Sequence, residues 1–236
     1  GRGANDMKSS IACFVSAVDN FLKNKHGFHG SISLLITGDE EGLAINGTKK
    51  VVEYLKKKKE KINFCIVGEP TNPNKLGEMI KIGRRGSLTG KIQISGSQGH
   101  VAYPHLSNNP INTLVTICKK LKEKKLDKGD KNFQPSNLEF TAINVDNKAH
   151  NVIPSRAKAQ FNIRYNNFHT AVSLKRKINL IIKTISKKNK CNFKVEYIAN
   201  GDSFLTKPEK TIYMAKEIIK KITKITPKFS TTGGTS

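Results

Sequence analysis

Four acidic residues stand where backbone geometry could gather them: Asp6, Glu40, Glu41 and Glu69. Glu40 and Glu41 lie in Thr37-Gly38-Asp39-Glu40-Glu41-Gly42, directly after the apolar run Ser31-Ile32-Ser33-Leu34-Leu35-Ile36. Glu69 follows a second apolar run, Ile62-Asn63-Phe64-Cys65-Ile66-Val67, and Asp6 opens a helical stretch. In an open parallel sheet, ligands collect beyond the carboxyl ends of the strands. Carboxylates 28 and 35 residues apart can therefore meet in one crevice. Convergent carboxylates repel unless a cation compensates them, and two divalent ions bridged by one carboxylate form a hydrolytic centre of the two-metal type. Each residue also has a plain structural reading. Asp6 can cap the helix that continues through Met7-Lys8-Ser9-Ser10, Glu40 and Glu41 can belong to a solvated loop, and Glu69 before Pro70 can simply end a strand. No HExxH or CxxC pattern decides between the two, so residue types and spacing alone leave the metal site and its structural alternative level.

The elements that must carry these residues follow from periodicity. Ile11, Phe14, Val15, Val18, Phe21 and Leu22 share one face of a helix predicted over 8–24, and a second helix is predicted over 47–58. The runs 31–37 and 62–67, bounded by glycines or turn residues, have the form of buried parallel strands. This alternation predicts an α/β layer. After Gly86 the period changes to two. Leu88, Gly90, Ile92 and Ile94 alternate with polar residues, as do Ala157, Ala159, Phe161, Ile163 and Tyr165, the pattern of strands with one wet face. Helices are predicted over 110–124 and 173–187, and a further strand at Phe193, Val195 and Tyr197. The stretch reads as an α+β module of four strands and two helices, inserted into the first layer. A helix over 210–224, a short strand containing Lys228 and a Gly-rich loop then return to that layer.

The 236 residues suffice for two small domains and a sizeable core. No apolar run approaches the roughly 20 residues of a membrane span. The four cysteines are widely spaced, which suits a reduced, cytoplasmic protein better than a disulfide framework. A net charge of +24 invites a nucleic-acid reading. The charge is mostly lysine, in patches such as Lys56-Lys57-Lys58-Lys59, with few arginines and no interleaved aromatics to stack on bases. Solvated lysine faces are the expectation, with neither nucleic acid nor membrane as partner; a cationic polyanion-binding protein is the rival from a different class. The chain opens in what reads as a loop and stops after Gly233-Gly234-Thr235-Ser236, so a fragment is expected.

Three segments, Gly1-Arg2-Gly3-Ala4-Asn5-Asp6-Met7-Lys8, Gly38-Asp39-Glu40-Glu41-Gly42 and Val67-Gly68-Glu69-Pro70-Thr71, resemble in order and spacing three signatures of the di-zinc aminoacylase/carboxypeptidase-type amidohydrolases. The resemblance continues through Lys81-Ile82-Gly83-Arg84-Arg85-Gly86-Ser87-Leu88-Thr89-Gly90, Gln98-Gly99-His100-Val101-Ala102-Tyr103-Pro104-His105-Leu106, Asn151-Val152-Ile153-Pro154, Phe161-Asn162-Ile163-Arg164-Tyr165, Phe204-Leu205-Thr206-Lys207-Pro208 and Gly233-Gly234-Thr235-Ser236, and so covers essentially the whole chain. It implies a catalytic metal-binding α/β domain over 1–85 and 204–236, with a mostly parallel sheet flanked by helices, and an inserted α+β dimerisation domain over 86–203.

The resemblance also assigns roles. Asp6 would bridge two zinc ions (cobalt being possible), Glu41 would bind one and Glu69 the other. Glu40 would be the general base that takes a proton from the bridging water and returns it to the departing amine. His100 would reach into the site of a second copy in a homodimer and bind the oxyanion. Arg84, Tyr103, Asn151, Arg164, Gly233, Gly234, Thr235 and Ser236 would contact a small-molecule N-succinyl amino acid, with another N-acyl amino acid as the alternative. Asp39 would face solvent or shape the turn, and His105 would be structural. His150 departs from the asparagine expected before Asn151; Asn5, Ser9 and Thr232 depart more mildly. Two histidine metal ligands, and the aspartate orienting one of them, would lie outside these 236 residues.

Overall fold

The structure, a computed structural model, describes residues 1–25, 27–42 and 44–233. Two compact units divide the chain, Gly1–Lys75 and Leu76–Thr235. The class is mixed α/β, as expected.

In the first unit, α1 spans Ser9–Asn24 and α2 spans Thr48–Lys57, matching the predicted helices to within a residue. The runs 31–37 and 62–67 differ from expectation. Among the described residues neither joins a ladder, and their apolar side chains are open, with Ile36 at 62% and Val67 at 69% exposure. A parallel strand becomes buried when ladder partners flank it and helices cover both its faces. The described residues of this unit supply α-helices and no ladder, so these runs lack the strand partners that would bury them.

The second unit holds the core. Its main sheet has the order β5-β7-β3-β8, all antiparallel, from Asn137–Asn144 (β5), Arg156–Tyr165 (β7), Gly86–Ser95 (β3) and Asn192–Ala199 (β8). The period-two pattern sets its faces: Leu88, Ile92, Ile94, Phe161 and Ile163 point inward and are almost fully buried. Helices α3 (Pro110–Glu123) and α4 (Ala171–Lys188) cover that face with Leu114, Ile117, Leu121, Leu174, Ile178 and Ile182. Each such side chain contributes about 1.5–3 kcal/mol on leaving water. The helix starts are chemically marked. Asn109 accepts the Ile111 N–H ahead of Pro110, and Thr170 forms a capping box with Ser173. The fourth strand, β5, carries a bulge between Phe140 and Ala142 that blurs its alternation.

Short ladders complete this unit. Met79–Lys81 (β1) pairs in parallel with Lys228–Ser230 (β10), Gly83–Arg84 (β2) with Phe204–Leu205 (β9), and Gly99–His100 (β4) with Val152–Ile153 (β6). Helix α5, Lys210–Thr223, lies between β9 and β10 in sequence. The last turn of every described α-helix contains lysine, Lys23 in α1 through Lys220 and Lys221 in α5. Cations there complement the partial negative charge of the helix C-terminus, which gives some of the lysines a structural place.

Candidate active site

The four carboxylates belong to the first unit, and local structure brings three of them to the fourth. Asp6 precedes α1, and the backbone at Gly68 lies against Met7, Ser10 and Phe14 at the start of that helix. Glu69 thereby meets Asp6 side chain to side chain. The turn after Thr37 is shaped by Asp39, which takes φ 63° and accepts the Ile45 N–H at 3.0 Å, the turn-shaping alternative foreseen for it. Glu40 and Glu41 follow on that turn, and their charges reach Glu69. Burial, then the charges of Asp6 and Glu40, the hydrogen bond with Asp6 and the charge of Glu41 together push the Glu69 carboxyl above its ordinary value. Negative charge is thus concentrated at one place, in oxygen donors that suit a hard divalent cation. Among the described residues, however, no three His, Cys, Asp or Glu side chains form a group that could hold a metal ion.

The remaining candidates belong to the second unit. His100 ends β4 opposite Val152, and Asn151 accepts the Val101 N–H at 3.1 Å through its carbonyl, so both residues sit on the same small ladder. Tyr103 joins them, its ring centroid 6.0 Å from that of His100 and 6.4 Å from that of His105. The His100 Nδ1 accepts the Ala102 N–H at 3.1 Å. In the neutral ring the proton then sits on Nε2, which becomes the donor. Arg84, on β2, places its guanidinium 5.9 Å from the Phe204 ring, and its buried Nε has no hydrogen-bond partner among the described residues. Arg164 lies on β7 between Ser87 and Asn137. Gly233 takes φ +115°, a conformation that favours glycine. Gly234, Thr235 and Ser236 lie outside the described residues.

Two cations that received no role from the sequence stand beside these. Burial, and then the charge of Arg164, lower the Arg85 pKa, and its Nη1 donates to Asn137 Oδ1 at 2.9 Å. Burial likewise lowers Lys81, whose Nζ donates to the Thr232 carbonyl and, at 3.1 Å, to the Thr232 hydroxyl. Both residues fall inside or next to the quoted motifs, yet nothing in residue type marks them, because their partners lie 52 and 151 positions away.

Residues 82–190 match the family described as Peptidase dimerisation domain. Solved structures agree on the fold: an aminopeptidase PepT from Bacillus cereus ATCC 10987 aligns at a TM-score of 0.58 and 16% identity, over 70% of this chain and 42% of that one. A tripeptidase from Staphylococcus aureus subsp. aureus Mu50 aligns at a TM-score of 0.57 and 15% identity, over 68% of this chain and 41% of that one. The particular resemblance is to succinyl-diaminopimelate desuccinylases. The chain is 66% identical over all 236 residues to that of Pelagibacter ubique (strain HTCC1062), covering 62% of it. It is 48% identical over 236 residues to that of Parvibaculum lavamentivorans, covering 59%. The chain therefore spans about three fifths of the length of these curated relatives.

Proposed function

We propose that this chain is the greater part of a metal-dependent amide hydrolase that removes succinate from N-succinyl-LL-2,6-diaminopimelate, in the cytoplasm, on the route to diaminopimelate and lysine. The observation that carries the reading is the 66% identity, over an alignment of all 236 residues, to a protein named succinyl-diaminopimelate desuccinylase. The domain boundaries proposed are 1–85 with 204–236 for the catalytic part and 86–203 for the inserted part, which would pair two copies into a homodimer.

Asp6, Glu41 and Glu69 would hold two divalent ions, zinc or cobalt, together with histidines from outside these residues. When bound, such ions acidify the attacking water and polarise the amide carbonyl. The raised Glu69 carboxyl supports this assignment: burial is the largest cause, and a cation would relieve the part that comes from the charges of Asp6, Glu40 and Glu41. Glu40 would accept the water's proton and hand it to the leaving amine. His100 would act across the dimer, in the second copy's site, and its Nε2–H is the tautomer that an oxyanion requires. Arg84, whose buried Nε has no partner among the described residues, and Arg164 would take the substrate's carboxylates, assisted by Tyr103, Asn151 and the 233–236 segment.

The test uses the full-length parent chain. Hydrolysis of N-succinyl-diaminopimelate should need added zinc or cobalt and should exceed that of N-acetylornithine. Glu40→Gln should lower kcat by about 100-fold or more while metal content stays at the wild-type level. Normal turnover by that variant removes Glu40 from the role of base.

A further inference from the structure

Gly233 is the first residue of the segment assigned to substrate contact, and the residues just before it are held from two sides by Lys81 and Asn132, both far away in sequence. On one side stands Lys81, at the end of β1. Its Nζ donates to both oxygens of Thr232, and a Cβ added to Gly233 would lie 3.1 Å from the same nitrogen. On the other side stands Thr231, 6% exposed, whose hydroxyl donates to the Asn132 carbonyl 99 positions away. The Ser230 hydroxyl adds a local brace, accepting the Thr232 N–H at 3.1 Å.

The carbonyl that Thr231 meets is itself held firmly. Asn132 belongs to the 127–136 loop, where Asp130 Oδ1 accepts the N–H groups of Asn132 and Phe133, each at 2.8 Å. Phe133 is 2% exposed. Asp127 accepts from Gly129 N at 2.7 Å and from Asn166 Nδ2 at 2.6 Å, and meets His169 Nε2 at 3.1 Å. The loop is thus riveted to the end of β7, and its one carbonyl directed at Thr231 has little freedom.

We propose that Thr231 and Lys81 are positioning residues that clamp Thr232 between them and so set the Gly233 backbone in its left-handed conformation, ready for the substrate. The proposal rests on the reading of Gly233 as a substrate contact. A clamp of this kind acts on binding geometry and leaves the proton transfer untouched, so its loss should appear in KM.

The experiment compares Thr231→Val, Thr231→Ser and Lys81→Met in the full-length parent enzyme, with hydrogen exchange over 229–233 measured in parallel. Thr231→Val and Lys81→Met should each raise KM for N-succinyl-diaminopimelate about tenfold with kcat within about twofold, the loss expected for one hydrogen bond to a fixed carbonyl. Exchange over 229–233 should quicken in both, and Thr231→Ser, which keeps the hydroxyl, should behave as wild type. Unchanged exchange in Thr231→Val and Lys81→Met overturns the clamp, as does a Thr231→Ser variant indistinguishable from Thr231→Val. Faster exchange with unchanged KM leaves the clamp standing and removes Gly233 from substrate contact, so the two failures are told apart. Should Thr231→Val not fold, Lys81→Met and Thr231→Ser carry the same two readouts.

Discussion

The carboxyl groups of Asp6 and Glu69, 63 residues apart in sequence, share a hydrogen bond, and Glu69 is held above its ordinary pKa beside the charges of Glu40 and Glu41. Burial, the largest cause, and the neighbouring carboxylates both disfavour the charged form of Glu69. The four residues gather acidic oxygens only, and among the described residues they form no group that could hold a metal ion. Zinc titrated calorimetrically into the 236-residue chain should bind more weakly than about 1 µM, because oxygen donors alone make a poor zinc site. Two ions bound more tightly than that would show that these residues suffice by themselves.

Asp127 supplies a pH-dependent term in the second unit. Burial raises its pKa, but hydrogen bonds from Ser136 and Asn166 and from the Gly129 and Ser136 N–H groups outweigh burial and hold it below its ordinary value. A depressed folded pKa means stability that is fully present above the unfolded value of about 3.9 and lost as pH falls through the lower folded value. Thermal melting followed from pH 7 down to 3 should show this loss. Asp127→Asn should cost about 2–3 kcal/mol at pH 7, as expected for hydrogen bonds to a buried charge, and should melt with a flatter acid limb. Equal acid limbs for the two proteins would contradict the assignment.

Gly90 faces the Phe161 ring across β3 and β7, and a Cβ there would lie 2.2 Å from the ring. Gly90→Ala should destabilise the fold by about 3 kcal/mol through overpacking. Adding Phe161→Leu, which clears the space, should recover part of that loss. Chemical denaturation of the two single variants and the double variant measures the coupling, and strict additivity would place the clash elsewhere.

The thiols should separate by reactivity. Cys13 and Cys65 are exposed, whereas burial pushes Cys118 up to about 11. At pH 8 an aromatic disulfide reagent should label the first two promptly and Cys118 about 100-fold more slowly, as its thiolate fraction requires. Rapid labelling of Cys118 would mean that α3 opens readily.

Much of the second unit is legible in its residues. The alternation in 86–95 and 156–165 decides which side chains face α3 and α4, since a strand that slipped by one residue would turn Leu88 and Phe161 to water. The helices announce themselves through their apolar spacing and, at Asn109-Pro110 and Thr170, through their caps. The turn at Thr37-Gly38-Asp39-Glu40-Glu41-Gly42 was legible as a turn, and the structure builds it on Asp39, which accepts the Ile45 N–H. The runs 31–37 and 62–67 were less readable. Uniform apolarity states a preference for burial without naming the partner that supplies it, and among the described residues none does.

What the sequence by itself determined is the inventory of chemistry and the local elements: the four carboxylates, the ladder faces, the helices and the family-like motifs. Only the tertiary structure decided which distant groups became neighbours. Residue type says nothing of Lys81 meeting Thr232, Asn132 meeting Thr231, or Asp127 meeting His169. A hydroxyl, a carbonyl or an ammonium group can serve any partner at hydrogen-bond distance. Which partner it gets depends on chain topology, through loops that close over 42 to 151 residues.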